Sequence, residues 1–192
     1  RMAVEIDRLP AEYERYTVGT WVGEIGRLMT TRNFIVTDAG GQRIAAASTL
    51  WAMIDVKTRQ PLDLRDNVDY SRALLAIPCP IDKPAKIGRI EGVPCDSRRV
   101  RYSDIDFNQH TNSMKYIQWM LDALPLEKLT GCRMKRLDVN FVHETRYGQQ
   151  LVVCCEYGTD RDRFEIRFED GTAACKAAIR WETSDERSNQ TA

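Results

Sequence analysis

Only one stretch of this chain carries a sustained helical period, and that limits the folds open to it. From Asn112 onward, Met114, Ile117, Met120, Leu121 and Leu124 fall on one stripe of a helix. Pro125 stops that helix, and Thr111 or Asn112 is of the type that caps a helix start. Immediately before it, Asp104, Asp106, Asn108 and His110 alternate with Ile105 and Phe107. Held as a strand, this segment lines up carboxylates, an amide and an imidazole on one face. The positive end of the helix dipole then lies just beyond His110, which suits a carbonyl oxygen gaining negative charge. On a straight strand Asp106 and His110 would stand about 13 Å apart, so both cannot reach one reacting atom. The expectation is that Asn108 and His110 touch the reacting atoms and Asp106 supports them. The same spacing also fits an ordinary Asp-rich turn with a capping or surface histidine.

Composition removes several function classes. Lys plus Arg and Asp plus Glu each number 28, so no net field favours nucleic acid or an anionic membrane. No apolar run approaches the roughly 18 residues of a membrane helix, and no signal peptide is visible. The six cysteines contain no C-x-x-C pair, and with two histidines no metal-site spacing emerges. Six free thiols in a reducing compartment is the simplest account. At 43% hydrophobic residues, 192 positions are enough for one large domain or two ordinary ones.

Taken in order, residues 2–6, 16–28, 31–36 and 43–56 read as strands. Gly19, Gly23 and Gly26 interrupt the second, and Asp38-Ala39-Gly40-Gly41 marks a hairpin turn between the third and fourth. A short helix is expected at 70–75. Residues 77–94, with four prolines, read as an irregular connection. The domain plan is therefore a first unit at 1–77, a linker at 78–95 and a second unit at 96–192. In the second unit the central stretch is followed by strands at 134–145, 151–157, 164–168 and 172–181, then a frayed polar tail. The first unit has no helix to match 112–124, so a preceding strand and helix are expected to belong to it.

The pattern of a long helix wrapped by an antiparallel sheet, twice, resembles the double hot-dog fold, an α+β architecture. Residues 103–121, SDIDFNQHTNSMKYIQWML, are similar to the signature of the acyl-acyl carrier protein thioesterases of plants and bacteria. Two further blocks agree: residues 31–34 with 47–53, then Thr58-Arg59 and Pro61, and residues 143–148, HETRYG. The resemblance covers essentially the whole chain. It implies hydrolysis of fatty acyl-carrier-protein thioesters to free fatty acid, ending chain elongation, without cofactor or metal. The related alternatives are an acyl-CoA thioesterase of the same fold and a non-catalytic acyl-thioester sensor.

Carried over residue by residue, the family's functional positions fall on Asp106, Asn108, His110 and Glu144. Asn108 would stabilise the oxyanion, Glu144 would act as general base, His110 would orient water or share the proton transfer, and Asp106 would fix the turn. Thr145 stands where plant members carry a cysteine, which favours attack by water over a cysteine nucleophile. Strict alternation of Leu137, Val139 and Phe141 puts His143 on the apolar face and Glu144 on the polar one. A bulge must reconcile this, and His143 is a rival base. Trp51, Met53, Met114 and Ile117 are the candidate lining of an acyl tunnel. Arg98, Arg99, Arg101, Arg133, Lys135 and Arg136 are candidate docking residues for an acidic carrier protein. The expected state is a monomer or homodimer, in the cytoplasm of a bacterium or the plastid stroma of a plant.

Overall fold

The computed structural model describes residues 1–67, 75–159 and 161–182. They form two compact units, Arg1–Ala85 and Lys86–Ala192. The first contains β1 (Met2–Ile6), β2 (Tyr16–Ile25), β3 (Thr30–Asp38) and β4 (Arg43–Trp51), antiparallel in the order β2-β3-β4-β1. The β3–β4 hairpin closes as its sequence predicts. Asp38 Oδ1 accepts the N–H groups of Gly40 and Gln42, and Gly41 takes φ +80°, a conformation cheap only without a Cβ. At Gly23 a Cβ would stand 2.5 Å from Asn33 Nδ2, so the glycine makes room for a cross-strand amide. Two strands end earlier than expected: β2 stops at Ile25, and β4 stops at Trp51 before a turn in which Asp55 Oδ1 accepts from Lys57 and Thr58. A single helical turn, α1 (Leu64–Asn67), follows. The helix expected at 70–75 lies outside the described residues except for Leu75.

The second unit contains β5 (Val93–Arg99), a 3-10 turn (Tyr102–Asp104), α2 (Ser113–Asp122), α3 (Leu126–Gly131), β6 (Arg133–Phe141), β7 (Gln150–Glu156), β8 (Arg161–Phe168) and β9 (Ala173–Glu182). Its antiparallel order is β6-β9-β8-β7-β5. β5 and β6 are consecutive in sequence yet lie at opposite ends of this order, so the segment carrying α2 has to cross the sheet. That is the hot-dog arrangement. Tyr116, Ile117, Trp119, Met120 and Leu124 are buried over a sheet core that includes Val139, Leu151, Phe164, Ile166 and Ile179. Fully burying each large apolar side chain stabilises by about 1.5–3 kcal/mol, which outweighs the modest propensity of a ten-residue helix.

Four expectations change here. The strand opening the unit is β5, which begins inside the stretch assigned to the linker, at Val93, and runs on to Arg99. Residues 100–110 are not extended: a 3-10 turn is followed by a tight loop, and Phe107 is 94% exposed rather than on an apolar face. Pro125 ends α2 but also opens α3 as its N-cap, a position where its missing N–H costs nothing. Cys95 and Cys155 form a disulfide between β5 and β7, so two of the six cysteines are not free thiols.

On the sheet face carrying Asn140, Lys176 and Glu165, which are cross-strand neighbours, residues 87–90 lie as a strap. Asn140 Oδ1 accepts from the Ile87 N–H, Lys176 Nζ donates to the Gly88 carbonyl, and the Arg163 and Arg167 guanidiniums donate to those of Arg89 and Ile90. Ile90 is fully buried.

Candidate active site

The loop before α2 is a hydrogen-bonded knot. The Asp106 N–H donates to the His110 carbonyl at 2.9 Å and the Gln109 N–H to the Asp106 carbonyl at 3.0 Å, with Gln109 at φ +63°. Asp106 Oδ1 accepts the N–H of Asn108 at 2.8 Å and that of His110 at 3.4 Å. A carboxylate that accepts N–H groups two and four residues on offers the backbone a turn instead of a strand. The bend therefore removes the separation that a straight chain would impose between Asp106 and His110. Asn112 caps α2 by accepting the Met114 N–H at 2.9 Å, and its own N–H donates to the Asp104 carbonyl.

Glu144 arrives from the other direction. At the end of β6 the N–H groups of Val142 and His143 both donate to the Ala174 carbonyl, at 2.9 and 3.0 Å. Two residues share one partner position, alternation ends there, and the strand rule says nothing about where Glu144 points. The irregularity lies at Val142 and His143, whereas Gly148, at φ +85°, belongs to the next turn. Glu144 Oε2 lies 3.2 Å from His110 Nε2, with 42% of the Glu144 side chain and 22% of the His110 side chain exposed. Behind them is a buried set of hydroxyls. Tyr116 Oη is 2.9 Å from Thr145 Oγ1 and accepts the Thr145 N–H at 3.1 Å. Thr145 Oγ1 donates to Thr111 Oγ1 at 2.6 Å, and the Thr111 N–H donates to the Thr145 carbonyl at 2.8 Å. Burial raises the Tyr116 phenol above its ordinary pKa, with the hydrogen bonds from Thr145 opposing the shift.

Asp106, His110, Thr111, Tyr116, His143 and Glu144 line one pocket of about 370 Å³, with Ser113 of the first turn of α2 in its wall. His143 Nδ1 lies 2.8 Å from the Ala173 carbonyl; since a carbonyl only accepts, that nitrogen carries the proton. Asn108 does not line the pocket, and it is exposed on the loop. Of the four tunnel candidates, Trp51 and Met53 belong to the first unit, where Trp51 is 56% exposed and donates its Nε1–H to Thr49 Oγ1. Met114 is 62% exposed and Ile117 is buried under α2. Thr111 and Tyr116 were missed from sequence. A tyrosine hydroxyl on a buried helix face needs a polar partner, and that was the available signal. Among the described residues no three His, Cys, Asp or Glu side chains converge to hold a metal ion.

Two family models match the chain, the acyl-ACP thioesterase N-terminal domain over residues 1–70 and the acyl-ACP thioesterase C-terminal domain over residues 91–183. An acyl-ACP thioesterase structure from Bacteroides thetaiotaomicron matches with a TM-score of 0.88 at 34% identity, covering 94% of this chain and 74% of that one. The chain belongs to the acyl-ACP thioesterase family. A 12:0-ACP thioesterase from Umbellularia californica shares the fold, with a TM-score of 0.80 at 20% identity over 95% of this family member and 71% of that chain. A chloroplastic acyl-[acyl-carrier-protein] hydrolase of Cuphea viscosissima is 27% identical over 94% of this chain and 47% of its own length. The chain thus spans about half the length of the curated relatives it matches. In this acyl-ACP thioesterase family member the C-terminal domain match contains all four expected functional positions, Asp106, Asn108, His110 and Glu144. Its described helices include none long and apolar enough to cross a membrane.

Proposed function

We propose that this chain hydrolyses fatty acyl-acyl carrier protein thioesters to free fatty acid and carrier protein. The contact between His110 Nε2 and Glu144 Oε2, in a pocket that also holds Asp106, carries the reading. A carboxylate only accepts hydrogen bonds, so with Glu144 ionised His110 carries its proton on Nε2 and holds the carboxylate in place. Glu144 then takes a proton from water as the water oxygen bonds to the thioester carbon. The carbonyl π pair moves onto oxygen, beside the positive end of α2 at Ser113. Collapse of that oxyanion breaks the C–S bond, and the departing sulfur takes up the proton held by the His110–Glu144 pair. Thr145 cannot replace water as a thiol nucleophile. Asn108 reaches the carbonyl only by turning its exposed side chain inward, so Asn108→Ala separates the two oxyanion assignments.

The carrier's docking surface narrows to part of the expected set. Arg133 and Lys135 pair with Glu182, Arg136 with Asp138, and Arg98 with Asp96 and Asp122. Arg99 and Arg101 enter no ion pair among the described residues, and they line a polar hollow of about 460 Å³ beside α2 in which Arg98 and Lys115 are paired with Asp96, Asp122 and Asp104. We assign the acidic carrier to that hollow. The compartment that fits is the bacterial cytoplasm, or the plastid stroma in a plant, since the plant relatives are chloroplastic. The test is release of free fatty acid from acyl-carrier-protein and acyl-CoA thioesters by wild type, Glu144→Gln and Asn108→Ala. Turnover of the carrier substrate, lost in Glu144→Gln by about 10² to 10⁴, supports the reading. Preference for acyl-CoA, or binding without turnover, overturns it.

A further inference from the structure

We propose that Tyr116 is a positioning residue for Glu144, acting through the peptide that joins Glu144 to Thr145; the proposal rests on the hydrolase reading above. Glu144 leaves the sheet after the double contact at Ala174, so the β-ladder does not fix its carboxylate. The residue after it is held instead. Thr145 is fully buried, and its N–H, its carbonyl and its hydroxyl are all engaged. Two of those contacts run to the Tyr116 hydroxyl. The rest run to Thr111, the residue after His110.

The direction of the chain of hydroxyls follows from its donors. Tyr116 Oη accepts the Thr145 N–H and its own proton goes to Thr145 Oγ1, whose proton goes in turn to Thr111 Oγ1. A single phenol thus sets both the peptide plane after Glu144 and the side chain that braces the residue after His110. The two partners of the 3.2 Å contact are each one residue from this buried cluster. Tyr116 suits the task because it sits in the second turn of a capped helix, 4% exposed, with its ring edge-on to Phe141 at 6.0 Å and to Trp119 at 5.7 Å. Removing its oxygen leaves the Thr145 N–H without that acceptor, and the end of the strand relaxes.

The test compares wild type, Tyr116→Phe, Glu144→Gln and the double variant in acyl-carrier-protein hydrolysis, together with crystal structures of wild type and Tyr116→Phe. In Tyr116→Phe, kcat falls about 10- to 100-fold, as for a catalytic group displaced by about 1 Å, while KM stays unchanged. In the Glu144→Gln background the same substitution has no further effect, because the group it positions is already gone. In the crystal the His110–Glu144 separation exceeds 3.2 Å. Thr145→Val removes only the hydroxyl contacts and lowers kcat in the same direction by less. Wild-type kcat in both Tyr116→Phe and Thr145→Val, losses that multiply with Glu144→Gln, or an intact contact in the variant crystal would each overturn the proposal. A wild type without turnover overturns the hydrolase reading alone, and the crystal comparison then decides the positioning role by itself.

Discussion

Replacing Lys128 by methionine removes the fastening that holds α3 to the sheet. No residue of α3 is fully buried, and its leucines Leu126 and Leu129 are 68% and 39% exposed, so apolar packing contributes little to holding it there. Lys128 Nζ instead lies 2.6 Å from Asp162 Oδ2, whose side chain is fully buried, and 5.7 and 5.9 Å from the ring centroids of Trp181 and Tyr157. Asp162 also accepts from Trp181 Nε1 at 2.7 Å and from the Gly158 N–H at 3.2 Å. In Lys128→Met the carboxylate keeps two neutral donors and loses its counter-charge. Breaking a buried pair from one side costs about 3–5 kcal/mol, and the lower end applies because Lys128 is 23% exposed. For a chain of this size, about 3 kcal/mol lowers Tm by about 6–12 °C. Urea unfolding at neutral pH, followed by circular dichroism, measures the loss directly. Adding Asp162→Asn to Lys128→Met restores part of it, since the amide oxygen still accepts from Trp181 without a buried charge while its NH2 gives up the bond from the Gly158 N–H. A loss below about 1 kcal/mol in Lys128→Met would refute the account, as would a double variant no more stable than the single one.

In the first unit, the Arg8 guanidinium holds the Glu14 carboxyl at about 2, below its ordinary 4.5, helped by the Ala11 N–H. A depressed carboxylate contributes stability above its unfolded pKa and loses it as pH falls through the folded one. Glu14→Gln therefore flattens the fall in urea midpoint between pH 4.5 and 2. Gly23→Ala destabilises by about 1–3 kcal/mol, read by thermal unfolding, because its Cβ would meet Asn33 Nδ2 at 2.5 Å. Reducing the Cys95–Cys155 bond, which closes 60 residues, lowers stability by up to about 4 kcal/mol, measured as urea midpoints with and without a dithiol.

What could be read from the residues depended on whether side chains faced a core. β1 is legible to the residue, and β3, β7 and β9 nearly so, because apolar runs and alternation mark strands with a buried face. β5 carries no such mark. Among the described residues it pairs with β7 alone, and an edge position tolerates Pro94. Residues 104–110 mislead in the opposite sense: their period of two includes Asp104 and Asp106, whose carboxylates make turns by accepting backbone N–H groups. Asp106 and His110 stand out as candidates from the polar residues ahead of α2, whereas Glu144 enters only through the family resemblance. Strand alternation misplaces Glu144 because the bulge at Val142 and His143 cannot be seen in residue type. Tyr116 passes for one more apolar residue until its hydroxyl is placed.

The strap at residues 87–90 has a practical corollary for cutting this chain in two. Its carbonyls at Gly88, Arg89 and Ile90 take hydrogen bonds from Lys176, Arg163 and Arg167, and the Ile87 N–H occupies Asn140. A second unit expressed from residue 96 would leave those cations facing water and uncover the pocket that Ile90 fills, whereas one begun at Lys86 carries its own lid. A protease probing the irregular stretch should thus find its first foothold ahead of Lys86, where no such row of hydrogen bonds ties the backbone to the sheet of the second unit.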